Sequence, residues 1–145
     1  MFKKFFGKFN KGLGIDLGTT KTMIYQEDRG IVVNESSVVA VNNRTDHILA
    51  VGDEARRMVG KTPPHIIATA PLDNGIISDF EITEKMLKYF MDKVQASKLA
   101  ISAKPKVVVG IPLDITEVEK KAVEDVVLSA GASQVFLAEN IMAAA

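Results

Sequence analysis

The chain has 145 residues, 47% hydrophobic and 25% charged, enough for one sizeable core and too few for two large domains. Lysine plus arginine and aspartate plus glutamate both number 18, so no net charge favours nucleic acid, and no nucleic-acid partner is expected. With no cysteine the chain has no disulfide, thiolate metal site or thiol nucleophile, and no apolar run reaches the roughly 20 residues that span a bilayer.

The first segment, MFKKFFGKFNK, is basic but lacks the apolar stretch and small-residue cleavage site of a signal peptide. If it is helical, Phe2, Phe5, Phe6 and Phe9 fall within an arc of about 100°, with Lys4, Lys8 and Lys11 opposite and Lys3 nearer the edge. Rings on one side and cations on the other suit an anionic membrane surface, so residues 1–12 are read as an amphipathic membrane-binding tail. A disordered basic tail, or a helix packed on its own domain, is the alternative. One copy of so short a helix is marginal in water and binds weakly; a filament presenting many copies binds by avidity.

Next comes LGIDLGTTKTM, Leu13 to Met23. An apolar run ends in Asp16 and Leu17, Gly18-Thr19-Thr20 turn, and Met23-Ile24-Tyr25 resumes an apolar run, which predicts a β-hairpin whose turn is the site. Gly18 allows a sharp turn and close backbone approach, and successive N–H groups in such a turn form a nest for phosphate. Asp16, at the strand end, is placed to hold Mg²⁺ through its waters, and Thr19 and Thr20 add hydroxyl donors. A plain hairpin with a polar turn explains the five residues DLGTT as well.

Arg29-Gly30 marks a second turn, and Ile31 to Val33 a third strand of an antiparallel meander. Val38 to Val41 and Ile48 to Val51 read as two more strands; Asp53 is expected to cap a short helix through Val59, closed by Gly60. Pro63-Pro64 marks a loop. From Ile82 on, Met86, Phe90 and Val94, with Leu87 beside them, give helical spacing. The loop from Ser97 to Lys104 carries Leu99 and Ile101, explained equally by helix-end packing and by lipid contact. Lys106 to Ile111, KVVVGI, suits a strand buried on both faces. Thr116 and Glu119 form a capping box for a helix carrying Val123, Val126, Val127 and Ala130, with Gly131 after it. Val135 to Leu137 is another strand, and Met142-Ala143-Ala144-Ala145 starts a third long helix. Three antiparallel strands, helix, strand, helix, strand, helix is the order of an RNase H-like α/β domain, here with a small inserted subdomain after the third strand.

GIDLGTT, VGDEARRMVGKTP at Val51 to Pro63, PLDNGIISDFEITEKML at Pro71 to Leu87 and VVVGIPLDITEVEKKAV at Val107 to Val123 together closely resemble the actin, DnaK-type chaperone and sugar-kinase superfamily. Within it the chain resembles the bacterial actin homologue MreB, from about Gly14 to the last residue. The resemblance implies an actin-type mixed sheet with flanking helices. Residues 13–34 and 75–145 would form an incomplete subdomain IA, and residues 35–74 an inserted subdomain IB. It also implies an ATP/ADP and Mg site in which Asp16 lies near the cation and Gly18, Thr19, Thr20 and Lys21 adjoin the phosphates. Lys21 stands where MreB usually has asparagine. The second phosphate loop, adenosine pocket and second lobe would lie beyond residue 145.

MreB usually carries Glu-Glu-Pro before Met-Ala-Ala-Ala, the second glutamate activating the attacking water. Here the run is Glu139-Asn140-Ile141. An amide orients water but takes no proton, and a lost general base typically costs on the order of 10² to 10⁴ in rate. Weak hydrolysis by a divergent paralogue is therefore expected, unless Glu139 serves in place of Asn140. The function implied is an ATP-binding cytoskeletal subunit that polymerises with itself into filaments supporting cell shape, cytoplasmic and peripheral at the inner face of the cell membrane. A superfamily sugar or acid kinase and a DnaK-type chaperone ATPase are the alternatives.

Overall fold

The computed structural model describes residues 12–96 and 104–139. Its first sheet opens with a meander: β1 (Leu13–Leu17), β2 (Lys21–Gln26) and β3 (Gly30–Ser36) pair antiparallel in succession. The third strand is longer than its apolar run suggested and stays in this sheet to Ser36. Two parallel strands, β9 (Lys106–Ile111) and β10 (Gln134–Glu139), extend the other side, giving the order β10-β9-β1-β2-β3. The meander followed by two parallel strands is the mixed sheet of the RNase H-like class expected from the sequence. β9 lies between two parallel neighbours, which is why Val107 to Ile111 are all buried.

Two helices cover one face of this sheet. α2 (Phe80–Ala96) begins where the Asp79 carboxylate accepts from the Ile82 N–H at 3.0 Å. Its buried residues Thr83, Met86, Leu87, Phe90, Met91 and Val94 follow the 3.6-residue period, so Thr83 rather than the partly exposed Ile82 begins the stripe. α3 (Glu117–Ser129) opens with the expected reciprocal bonds: Glu119 N–H to Thr116 Oγ1 at 3.2 Å and Thr116 N–H to Glu119 Oε2 at 2.9 Å. Phe90 and Met86 from α2 and Val126 and Val127 from α3 join Ile15, Ile24, Val107 and Val109 in the main core. The opposite face of the sheet carries a much smaller cluster, Val108 and Ala138 with Tyr25 against them.

Between β3 and α2 lies a second sheet, ordered β5-β4-β6 from β4 (Val39–Asn42), β5 (His47–Val51) and β6 (Ile66–Thr69). Its alanine face, Ala40 and Ala50 with Ala68, packs on Ala55 of the short α1 (Asp53–Met58). Asp53 is not the cap of α1. Gly52 holds the cap position at φ 80°, and Asp53 is the first helical residue, its carboxylate turned to Ser36 instead. β6 was not legible in the sequence. It is four residues long after a double proline, and antiparallel pairing with β4, distant in sequence, makes it a strand. A small hairpin, β7 (Leu72–Asp73) and β8 (Ile76–Ile77), follows; Asn74 at φ 50° and Gly75 at φ 77° are the paired positive-φ residues of a tight two-residue turn. No helix among the described residues is long and apolar enough to cross a membrane.

Candidate nucleotide site

The turn between β1 and β2 stands at the edge where the parallel strands β1, β9 and β10 end, the usual ligand edge of such a sheet. Within it the Gly18 N–H donates to the Lys21 carbonyl at 3.0 Å. A Cβ on Gly18 would lie 2.5 Å from that oxygen, so glycine is required here by space. Gly18 is not among the glycines at positive φ. The N–H groups of Thr19 and Thr20 have no protein partner among the described residues and are free for an anion.

Residues far away in sequence brace the turn. Ser37 donates from its N–H to the Thr20 carbonyl at 3.0 Å and from Oγ to the Gly18 carbonyl at 2.6 Å. The same hydroxyl lies 2.8 Å from Thr22 Oγ1, and both residues are fully buried. The Thr19 hydroxyl accepts from the Gly75 N–H at 2.7 Å, bringing the β7–β8 hairpin onto the turn. Gly75 also sits close to the end of β9, where an added Cβ would lie 3.1 Å from Pro112 Cγ. None of Ser37, Thr22 and Gly75 was singled out from the sequence. The run Asp73-Asn74-Gly75 does announce a turn, but the bond from Gly75 to Thr19 spans 56 residues.

Asp16 registers with Met23 on β2 and Gly110 on β9, and Gly110 registers with Ala138 on β10. Side chains alternate along a strand, so Asp16 shares the sparsely covered face with Gly14, Gly110 and Ala138. A missing side chain at 110 and a methyl at 138 leave room beside the carboxylate. Burial pushes the Asp16 carboxyl above its ordinary value by disfavouring its charged form. One half-buried carboxylate with space around it fits a Mg²⁺ that keeps most of its waters. Lys21 is exposed at the head of β2 and registers with Ser36 on β3.

Glu139 registers with Ile111, whose side chain is in the main core, so its own side chain leaves the sheet on the face opposite Asp16. Asn140 lies outside the described residues, as do Phe2, Phe5, Phe6, Phe9, Lys4, Lys8, Leu99 and Ile101.

The chain is similar to known proteins in both sequence and fold. The family described as MreB/Mbl protein matches residues 10–145. The cell shape-determining protein Mbl of Bacillus cereus is 47% identical over 137 residues, covering 94% of this chain and 40% of that protein. The cell shape-determining protein MreB of Escherichia coli is 44% identical over 149 residues, covering 100% of this chain and 43% of its own length. The chain thus spans about two fifths of the relatives it matches. Among solved structures, MreB5 of Spiroplasma citri bound to ADP superposes with a TM-score of 0.81 at 32% identity, over 91% of this chain and 39% of that one. The MamK double helical filament superposes at 0.71 with 18% identity over 90% of this chain and 41% of that one, a likeness of fold. The chain belongs to the MreB/Mbl family of bacterial actin homologues.

Proposed function

We propose that this chain is the phosphate-binding part of a nucleotide-dependent, actin-like filament subunit that supports cell shape at the inner face of the cytoplasmic membrane. The observation that carries the reading is the braced β1–β2 turn, with two free N–H groups beside a half-buried carboxylate at the strand-end edge. Solved MreB5 structures hold ADP and AMPPNP, and the turn has the donors such phosphates need. In this reading Thr19 and Thr20 present N–H groups to the phosphates, Gly18 lets them approach, and Lys21 adds positive charge. Asp16 holds Mg²⁺ through water; bound there, the cation offsets the charge of the polyphosphate and of the carboxylate that burial now disfavours.

Residues 13–34 with 75–145 are taken as subdomain IA and 35–74 as subdomain IB; strands of the first sheet come from both IA segments, and the second sheet lies within the insert. For hydrolysis, Asn140 is the residue beside the attacking water. Glu139 is a poor substitute because its side chain leaves on the other face. The amphipathic Phe2, Phe5, Phe6 and Phe9 with Lys4 and Lys8 supply the membrane contact, aided by Leu99 and Ile101.

The test is sedimentation of a full-length protein carrying this chain, with and without ATP and Mg²⁺. Nucleotide-dependent pelleting supports the filament reading. Soluble protein that transfers phosphate to a sugar or acid, or whose turnover rises with peptide and that never pellets, overturns it in favour of the kinase or the chaperone.

A further inference from the structure

The chain leaves the first sheet and enters the second through two consecutive serines, Ser36 at the end of β3 and Ser37 before β4. Both are buried, at 2% and 0% exposure. Consecutive residues point to opposite sides, and each serine is committed to a different element. Ser37 holds the turn through the carbonyls of Gly18 and Thr20. Ser36 holds the head of α1, donating from its N–H at 2.8 Å and its Oγ at 2.7 Å to Asp53 Oδ1. Around this joint the Gly52 N–H donates to the Val38 carbonyl at 2.8 Å, and a Cβ on Gly52 would lie 2.9 Å from Glu35 Oε2. Little slack exists between β3 and the start of α1.

We propose that the Ser36-Ser37 dipeptide is a rigid link that passes a change at the phosphate turn to the β4–β5–β6 sheet, with Asp53 as its far end. The inference rests on the nucleotide reading of the turn. A phosphate seated on the Thr19 and Thr20 N–H groups fixes the Gly18–Thr19 peptide plane, whose carbonyl the Ser37 hydroxyl holds, and through Thr20 restrains the next plane but one, whose carbonyl the Ser37 N–H holds. Moving those planes with Ser37 attached moves Ser36, and Ser36 carries Asp53 and the first turn of α1. Breaking the bonds instead leaves buried polar groups unpaired, which favours motion as a unit. Lys21, opposite Ser36 in the β2–β3 register, contributes a second, weaker tie by attracting the Asp53 carboxylate.

Asp53 is exposed, so its replacement leaves the cores intact. The experiment is amide hydrogen exchange on a full-length protein carrying this chain, with and without ATP and Mg²⁺, reading His47 to Met58, alongside calorimetry of ATP binding. In the unsubstituted protein ATP slows exchange across this segment. Asp53→Ala keeps its ATP affinity within about threefold, as suits a residue outside the site, yet loses roughly half or more of that slowing. Asp53→Asn retains Oδ1 as an acceptor and keeps the slowing. Full slowing in Asp53→Ala overturns the link, and so does Asp53→Asn behaving like Asp53→Ala, which would assign the effect to charge. If the unsubstituted protein binds ATP but shows no slowing, the link alone fails. Absence of ATP binding removes the nucleotide reading together with the link.

Discussion

Gly18 is the residue at which geometry is least forgiving. A methyl there meets backbone, the Lys21 carbonyl, rather than the end of a flexible side chain. Gly18→Ala must therefore distort the turn, and ATP affinity measured by calorimetry should fall about tenfold or more, roughly 1.4 kcal/mol. Asp16 combines a cost with a use. Its folded-state carboxyl is raised by burial, so the charged form opposes folding above the ordinary value of 3.8, and that opposition disappears once the group is protonated in both states at lower pH. Asp16→Asn is expected to raise the melting temperature at pH 7 without nucleotide, with a gain that shrinks as pH falls through the raised folded value towards 3.8, while the Mg²⁺-dependent part of ATP affinity is lost. At position 140 the proposed reading has an amide where a base would serve. Asn140→Glu should raise ATP turnover by about tenfold or more; an unchanged rate would place the base elsewhere or show another step to be limiting.

At the scale of elements, local chemistry and distant pairing contribute separately. α3 is specified locally: its capping box satisfies two otherwise unpaired N–H groups, and Val123, Val126 and Val127 face the core. Thr116→Ala should cost about 1 kcal/mol in a denaturant titration, with an unchanged slope because the exposed surface is the same. β6 and the β7–β8 hairpin are specified by their neighbours. Ile66–Thr69 becomes a strand through its pairing with β4, and the hairpin is anchored through Gly75 to Thr19 and against Pro112.

For the whole molecule, the proposed membrane contact is the property that assembly would amplify. Full burial of one phenylalanine ring is worth at most about 3 kcal/mol, much of it consumed in ordering a short helix, so many copies in a filament are needed for firm binding. Deleting residues 1–11, or Phe5→Ser with Phe6→Ser, should abolish pelleting of a full-length protein carrying this chain with anionic liposomes and leave ATP binding intact. Replacing Lys3, Lys4, Lys8 and Lys11 by glutamine should weaken it less, in a salt-dependent way, since each cation adds roughly 1 kcal/mol near such a surface. Undiminished pelleting of the deleted protein would shift the anchor to Leu99 and Ile101.

Local patterns in the sequence determined most of the first sheet. The apolar runs flanking Gly18-Thr19-Thr20, the run KVVVGI, the Thr116–Glu119 box and the stripe from Met86 to Val94 each report on neighbours a few residues away, and each element formed where its pattern lay. The position of the turn and of Asp16 was legible for the same reason. Tertiary structure alone decided what holds them. Ser37 reaches the turn across 19 residues and Gly75 across 56, and Asp53 left its expected capping role because Ser36 offers it two donors. Hydrogen bonds between distant residues leave no periodicity in the chain; they exist only once the two sheets are folded against each other.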